Sequence, residues 1–162
     1  MITNTVANQL RITGFVLKAN LEGLTHEESL HRPEPGGNCI NWVVGHLVHT
    51  QNGAMRVLGR TALWNEHDGA CYARGSDGGL DESEAMPLEE LLRTYDRAEA
   101  EILAGLEAIS PERLKEPSPI SPTKNSDETV GSLLEKLAFH QAYHLGQVGL
   151  LRRLNGHAGA IR

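Results

Sequence analysis

The sequence predicts an all-α fold, a four-helix bundle with a long crossover connection between the second and third helices. Every long periodic segment has apolar residues at steps of three and four, which is the spacing of a helix and not of a strand. Four such segments follow one another, each about 20 residues long, as in a helical bundle. With 162 residues, 40% of them hydrophobic, the chain has the size and composition of a single domain covering residues 1–162.

The first predicted helix spans residues 5–24 and is followed by two turn signals. Thr25 and Glu28 form a capping-box pattern, which predicts a short extra helical turn. Residues 32–38, with two prolines and two glycines, form a loop, and Asn38 at its end is the expected N-cap of the next helix.

The crossover lies between the second and third predicted helices. The second helix spans residues 39–58, and residues 59–86 that follow are rich in Gly and Asp and have no sustained period. This link is too long for a tight turn between adjacent antiparallel helices. Pro87 then fits the first turn of the third helix, where Glu89 and Glu90 complement the helix dipole.

The fourth helix has the strongest pattern. It follows a loop at residues 117–128, spans residues 129–154, and ends at Asn155 and Gly156. Leucine and valine side chains line one side of it, so this side faces the core.

The charge balance excludes several classes of partner. Fifteen Lys and Arg against 21 Asp and Glu give a net charge of −6, which argues against nucleic acid and against an anionic membrane surface.

No long apolar run and no signal-peptide pattern is present, so we expect a cytoplasmic protein. Cys39 and Cys71 lack CxxC spacing, which suits a reducing compartment, and neither is expected to bind zinc.

His140 and His144 are the main candidates for chemistry. One helical turn separates them, so their side chains project together from the apolar face of the fourth helix. Two buried imidazoles need polar partners, and a shared metal ion supplies one for both. The alternative is a pair of core histidines that bond backbone or water.

The sequence HQAYH at residues 140–144 is not a zinc protease motif. Gln141 stands where such enzymes have a catalytic glutamate. The inward glutamates of di-iron bundles are also missing. A third ligand must come from another helix, and the second helix offers His46, at the edge of its buried stripe, and His49, which turns further away.

Two segments resemble the DinB/YfiT-like superfamily of small metal-binding helical bundles, which is distinct from the translesion polymerase of the same name. They are INWVVGHLVHTQNGAMRVLG at residues 40–59 and LLEKLAFHQAYHLGQVGLLRR at residues 133–153. The resemblance implies His46, His140 and His144 as ligands of zinc or nickel, in an open site that also binds a small-molecule substrate. It further implies a long link, which residues 59–86 match, and a homodimer formed through helix packing.

Other polar and aromatic residues near the predicted ligands have two interpretations each. Gln147 is either a hydrogen-bond partner of a ligand or of bound water, or an interhelical amide. Tyr143 and Trp42 either wall a pocket or pack ordinarily. His49, His67 and Asp68 are candidate general bases or partners of the ligands, although solvated positions are the simpler interpretation. The remaining histidines are expected at the surface: His26, His31 and His157.

Three functions follow from an open three-histidine site. The resemblance favours a metal-dependent thiol S-transferase or isomerase that uses a low-molecular-weight thiol such as bacillithiol or mycothiol. A metal-dependent hydrolase is the second hypothesis, mildly disfavoured because no Glu or Asp base lies beside the ligands in the sequence. The third is a non-catalytic, stress-linked dimer in which the metal pins the second helix to the fourth.

Overall fold

The computed structural model describes residues 2–65 and 67–161, and these contain five α-helices. The helices are α1 (Ile2–Leu21), α2 (His26–Leu30), α3 (Ile40–Val57), α4 (Leu88–Ala108) and α5 (Val130–Leu154). Short 3-10 turns occur at Ala70–Tyr72 and Arg113–Lys115, and no named strand occurs among the described residues. The predicted all-α bundle of four long helices with a long crossover is confirmed.

The parallel direction of α3 and α4 explains why the link between them is long. α1 contacts α4 and α5, and α3 also contacts α4 and α5. α3 and α4 run parallel, because Asn41 near the start of α3 bonds the Met86 carbonyl just before α4, and Leu58 just after α3 packs on Gly105 near the end of α4. A connection between parallel neighbours must return along the whole helix, so the chain needs a long link there.

Several helix ends differ from prediction. α1 begins at Ile2 and ends at Leu21, a shift of about one turn from the predicted span. Asn38 is not the N-cap of α3: Cys39 is, and its Sγ accepts a hydrogen bond from the Trp42 amide at 3.4 Å. The crossover moves the N-cap from Asn38 to Cys39. The Gly78 carbonyl accepts a hydrogen bond from the Cys39 amide at 2.8 Å, and the Asn38 side chain packs on Gly78.

Two other predicted caps can be compared with the structure. Pro87 is the N-cap of α4 and so lies one residue before the predicted position. The capping box of Thr25 and Glu28 before α2 is present.

Buried polar side chains divide the core into two apolar clusters. One cluster contains Leu17, Val44 and Val148, and the other contains Leu10, Met55 and Leu134. Along α1, α3 and α5 the members of the two clusters are separated by buried polar residues, among them Thr13, Gln51 and Gln141. On α5 the candidate ligands His140 and His144 lie in this polar segment, between Ala138 of one cluster and Leu145 of the other. No described helix is long and apolar enough to cross a membrane.

Candidate metal centre

Three histidines from two neighbouring helices converge on one point. His46 lies on α3, and His140 and His144 lie one turn apart on α5. The Nε2 atom of His140 lies 3.2 Å from Nε2 of His46 and 3.1 Å from Nε2 of His144. His46 and His144 are buried and His140 is half-buried. Within the described part of the chain, these three form the group whose ligand atoms can share one metal ion.

The ring of His46 is fixed on two sides. Its Nδ1–H donates to the Tyr72 carbonyl at 2.8 Å, and because a carbonyl only accepts, the Nε2 atom of the neutral ring must hold a lone pair. The Trp42 indole stacks on the imidazole with ring centroids 4.7 Å apart and planes 8° apart. Trp42 is itself held by the Cys71 carbonyl, to which its Nε1–H donates at 3.1 Å.

His144 is fixed in the same way by another residue of α5. Its Nδ1–H donates to Gln147 Oε1 at 2.7 Å, so its Nε2 lone pair also points into the cluster. The Nδ1 atom of His140 is buried and has no partner in the structure. The hydrogen bonds of Nδ1 therefore set the tautomers of His46 and His144, two of the three rings.

The protonation states favour metal binding. Burial lowers the pKa of His46 to about 4 and that of His140 to about 3, and burial also lowers the pKa of His144. All three rings are therefore neutral near pH 7, which is the form that binds metal.

The contacts between the three imidazole rings are unfavourable unless a cation lies between them. His46 and His144 both present lone pairs, and His140 has one ring proton, which it can donate to only one of them. At least one Nε2 contact at 3.1 or 3.2 Å therefore joins two lone pairs, which repel each other. Three nitrogens bound tetrahedrally to one ion, at about 2.0–2.1 Å each, lie about 3.3–3.4 Å apart, close to the spacing seen here. The residues fit a divalent transition metal.

The other predicted candidates are spread around this cluster. His49 is half-buried and lies parallel to His46, with ring centroids 6.4 Å apart. Tyr143 is 58% exposed and meets the edge of the His144 ring at a centroid distance of 5.3 Å. His67 and Asp68 are exposed in the crossover, where Asp68 accepts a hydrogen bond from the Asn65 amide.

Two of the histidines that we expected at the surface are partly buried. His157 pairs with Glu28 at 2.9 Å, and His26 accepts a hydrogen bond from the Leu88 amide at 3.3 Å. His31 is exposed and bonds Asn155. These three residues tie the ends of α2, α4 and α5 together, a role that the sequence does not signal.

Gln141 faces away from the histidine cluster. It is 1% exposed, and its amide nitrogen donates to Thr13 Oγ1 at 2.9 Å and to the Tyr95 hydroxyl. It therefore bonds α1 and α4 and does not occupy the position of a protease glutamate, in agreement with the sequence analysis.

Tyr72 is a site residue that the sequence analysis missed. It is fully buried, its carbonyl orients His46, and its hydroxyl bonds Asn41 and the Met86 amide. Its ring lies against Gly45, where a Cβ atom would overlap the ring. Two signals in the sequence could have indicated this contact. One is an aromatic residue within a Gly- and Asp-rich link, and the other is a glycine directly before His46.

The fold and the site together define a class of protein: a small four-helix bundle with a candidate metal centre of one histidine on α3 and a histidine pair on α5. Comparison with known families gives this class a name. The DinB superfamily profile matches residues 9–148, and the chain belongs to this superfamily.

The fold has a solved counterpart. The crystal structure of a conserved protein from Enterococcus faecalis superposes with a TM-score of 0.73 at 19% sequence identity, covering 94% of this chain and 95% of that one. At this identity the likeness concerns the fold. Among curated proteins, none matches the chain.

Proposed function

We propose that His46, His140 and His144 bind one divalent ion, zinc or nickel, and that the chain is a metal-dependent enzyme. The convergence of three neutral Nε2 atoms, without a carboxylate in the group, is the observation that supports it. A cation held only by neutral ligands keeps its full charge, and it would lower the pKa of a thiol or water that binds to it. Three protein ligands are also the number found in catalytic zinc sites.

Metal content tests the ligand assignment. Elemental analysis of the purified protein should find about one zinc or nickel per chain, and His46→Ala and His144→Ala should each lose it. His67→Ala removes an exposed histidine of the crossover and should keep the metal. Metal retained in both ligand variants would overturn the assignment.

The reaction that we propose is transfer of a low-molecular-weight thiol to an electrophilic carbon, or a related isomerisation. The thiol gives up its proton, its sulfur forms a bond to carbon, and that carbon loses chloride or opens an epoxide whose oxygen takes up a proton. His49 is our candidate acceptor for the thiol proton, because burial lowers its pKa and leaves it neutral at pH 7, beside His46. Tyr143 and Gln147 are weaker candidates for a direct role.

A thiol panel tests the reaction. Metal-loaded protein with bacillithiol, mycothiol or glutathione and a chlorinated or epoxide substrate should consume thiol and electrophile in equal amounts. His49→Gln should lower the rate and keep the metal. Turnover of esters or amides without any thiol would instead favour a hydrolase.

A structural role is the second candidate function. The cluster joins α3 to α5, so an ion there would also tie the two helices together. A non-catalytic protein of this kind would show no exchangeable water on its metal. Detection of exchangeable water by relaxation measurements on a cobalt-loaded sample would exclude it.

We also propose that the protein is a cytoplasmic homodimer. Large apolar side chains are exposed along the neighbouring helices α1 and α5, and we name them the α1–α5 face: Ile12, Phe15, Phe139, Tyr143 and Leu150. Exposed apolar side chains on two neighbouring helices suit a self-complementary two-fold interface. Both cysteines are free thiols, which supports a reducing compartment.

Mass measurement tests the dimer. Light scattering after gel filtration should give the mass of two chains, and Phe139→Glu should give one. Ile120→Glu is the matched control, because Ile120 is exposed but lies in a loop outside the α1–α5 face. A wild-type monomer would contradict the proposal.

A further inference from the structure

Arg74 lies in the part of the crossover that orients the candidate metal ligands. It follows Tyr72 by two residues, and the Tyr72 carbonyl accepts the Nδ1–H of His46. Its guanidinium donates to the Pro122 carbonyl at 3.0 Å and so joins the crossover to the loop before α5. That loop in turn contacts α5 one turn before His140, where Lys136 donates to Thr123 Oγ1 at 2.8 Å.

The backbone beside Arg74 is held firmly. The Ser76 hydroxyl lies 2.6 Å from the Cys71 carbonyl and 2.8 Å from the Ala73 carbonyl, closing a tight turn around Arg74. The Trp42 indole, which stacks on His46, donates to Ser76 Oγ at 2.9 Å. The backbone at Arg74 is therefore held by the same groups that orient His46. A residue that is already held in place loses less conformational entropy when it binds a ligand.

The charge of Arg74 is not balanced by an ion pair among residues 2–65 and 67–161. Some cations of the chain, such as Arg60 with Glu101 and Arg32 with Asp77, have a carboxylate partner within 4.0 Å, whereas Arg74 and Arg97 have none among the described residues. Arg74 is exposed, and its hydrogen bond to Pro122 uses one of the five N–H groups of a guanidinium. The candidate ligand set adds no negative charge, since it contains only histidines. Arg74 and a bound divalent ion would thus create a positive field that attracts anions.

We propose that Arg74 binds a carboxylate of the small thiol that the site uses, and so selects anionic thiols over neutral ones. The inference rests on the proposed function and narrows its substrate class. A guanidinium binds a carboxylate through two parallel N–H groups, which gives both affinity and orientation. Arg74 is in this sense a specificity residue, while the histidines would hold the ion that binds the sulfur.

The affinities of two simple thiols test the proposal. Mercaptosuccinate carries carboxylates, and thioglycerol is a neutral thiol of similar size. Calorimetric titration of the cobalt-loaded protein should show that mercaptosuccinate binds about tenfold more tightly, the ratio expected from one charge-assisted pair at an exposed site. Arg74→Gln should remove this preference and leave the affinity for thioglycerol and the cobalt content unchanged, while Arg74→Lys should keep part of it.

Arg97→Gln is the matched control. Arg97 is an exposed arginine of α4, outside the residues that contact the cluster, and its removal changes the net charge by the same amount. It should keep the full preference. An unchanged preference in Arg74→Gln, or an equal loss in Arg97→Gln, would overturn the role of Arg74 alone. Bound cobalt with no binding of either thiol would overturn the proposed thiol chemistry as well.

Discussion

At the scale of single residues, the hydrogen bonds of Nδ1 in His46 and His144 matter as much to the site as the Nε2 atoms that face the other rings. Tyr72 accepts from His46 and Gln147 accepts from His144, and in each case the acceptor leaves Nε2 free to bind a metal. These contacts order the rings before any ion binds. Since partners of this kind fix ring orientation and increase ligand basicity, their removal weakens metal binding without removing a ligand.

Gln147→Ala tests this positioning role. We expect the metal affinity of this variant to fall by about 10- to 100-fold, because the His144 ring loses the acceptor that fixes its tautomer. Competition titration against a chromogenic chelator measures the change. Gln147→Glu keeps an acceptor oxygen at the same position and should retain wild-type affinity or exceed it. Equal affinities in the alanine variant and the wild type would show that the hydrogen bond has no such role.

At the scale of helices and links, the crossover completes the site. Its Tyr72 ring packs on α3 at Gly45, and its carbonyl holds His46 one residue further along. The absence of a side chain at Gly45 therefore allows the close approach on which the orientation of His46 depends. A methyl group there would push Tyr72, and with it the crossover, away from α3.

Gly45→Ala should destabilise the protein by about 1–3 kcal/mol, the usual cost of overpacking a core. It should also weaken metal binding, because the Tyr72 carbonyl moves with its ring. Urea denaturation and metal titration measure the two effects. Gly53→Ala on the same helix is the control: nothing lies within 4 Å of its added Cβ, so it should stabilise α3 by about 0.5–1 kcal/mol. Equal stabilities of the two variants would contradict the packing described for Tyr72.

The elements that the sequence predicts well are those whose pattern is local. The four long helices follow from apolar periodicity, and the capping box of Thr25 and Glu28 from a four-residue motif. The displaced N-cap at Cys39 and the buried Tyr72 both depend on where the crossover packs, which is a non-local contact. The histidine pair could be found from spacing on one helix, whereas the choice of His46 over His49 needed the resemblance to a family.

At the scale of the whole molecule, the buried histidines couple stability to pH. In the metal-free protein the pKa of His46 is about 4 and that of His140 about 3, whereas in the unfolded chain both are about 6.5. Between these values the unfolded chain binds more protons than the folded one, so the free energy of unfolding decreases as pH falls. Above about pH 6.5 both states are neutral at these residues, and this dependence vanishes.

Urea denaturation of the chelator-treated protein checks the pH dependence. The free energy of unfolding should be lower at pH 5 than at pH 7.5, and the double variant His46→Gln/His140→Gln should show a smaller decrease. Carboxylates with lowered pKa, such as Glu128, lose their contribution only below about pH 4.5, outside this range. A wild-type decrease that the double variant reproduces in full would assign the effect to other groups.

Metal binding should stabilise the entire fold, because the ligands come together only when α3 and α5 are packed. At a free metal concentration about 100 times the dissociation constant, linkage adds about 2.7 kcal/mol to the free energy of unfolding. For a chain of this size that raises the melting temperature by about 5–10 °C. Differential scanning fluorimetry with zinc or nickel, followed by excess chelator, measures the rise and its reversal. His144→Ala should show neither, and His67→Ala should show both. A wild-type melting temperature that does not respond to either metal would argue that the three imidazoles meet without a cation, and that their contacts are satisfied by water or backbone instead.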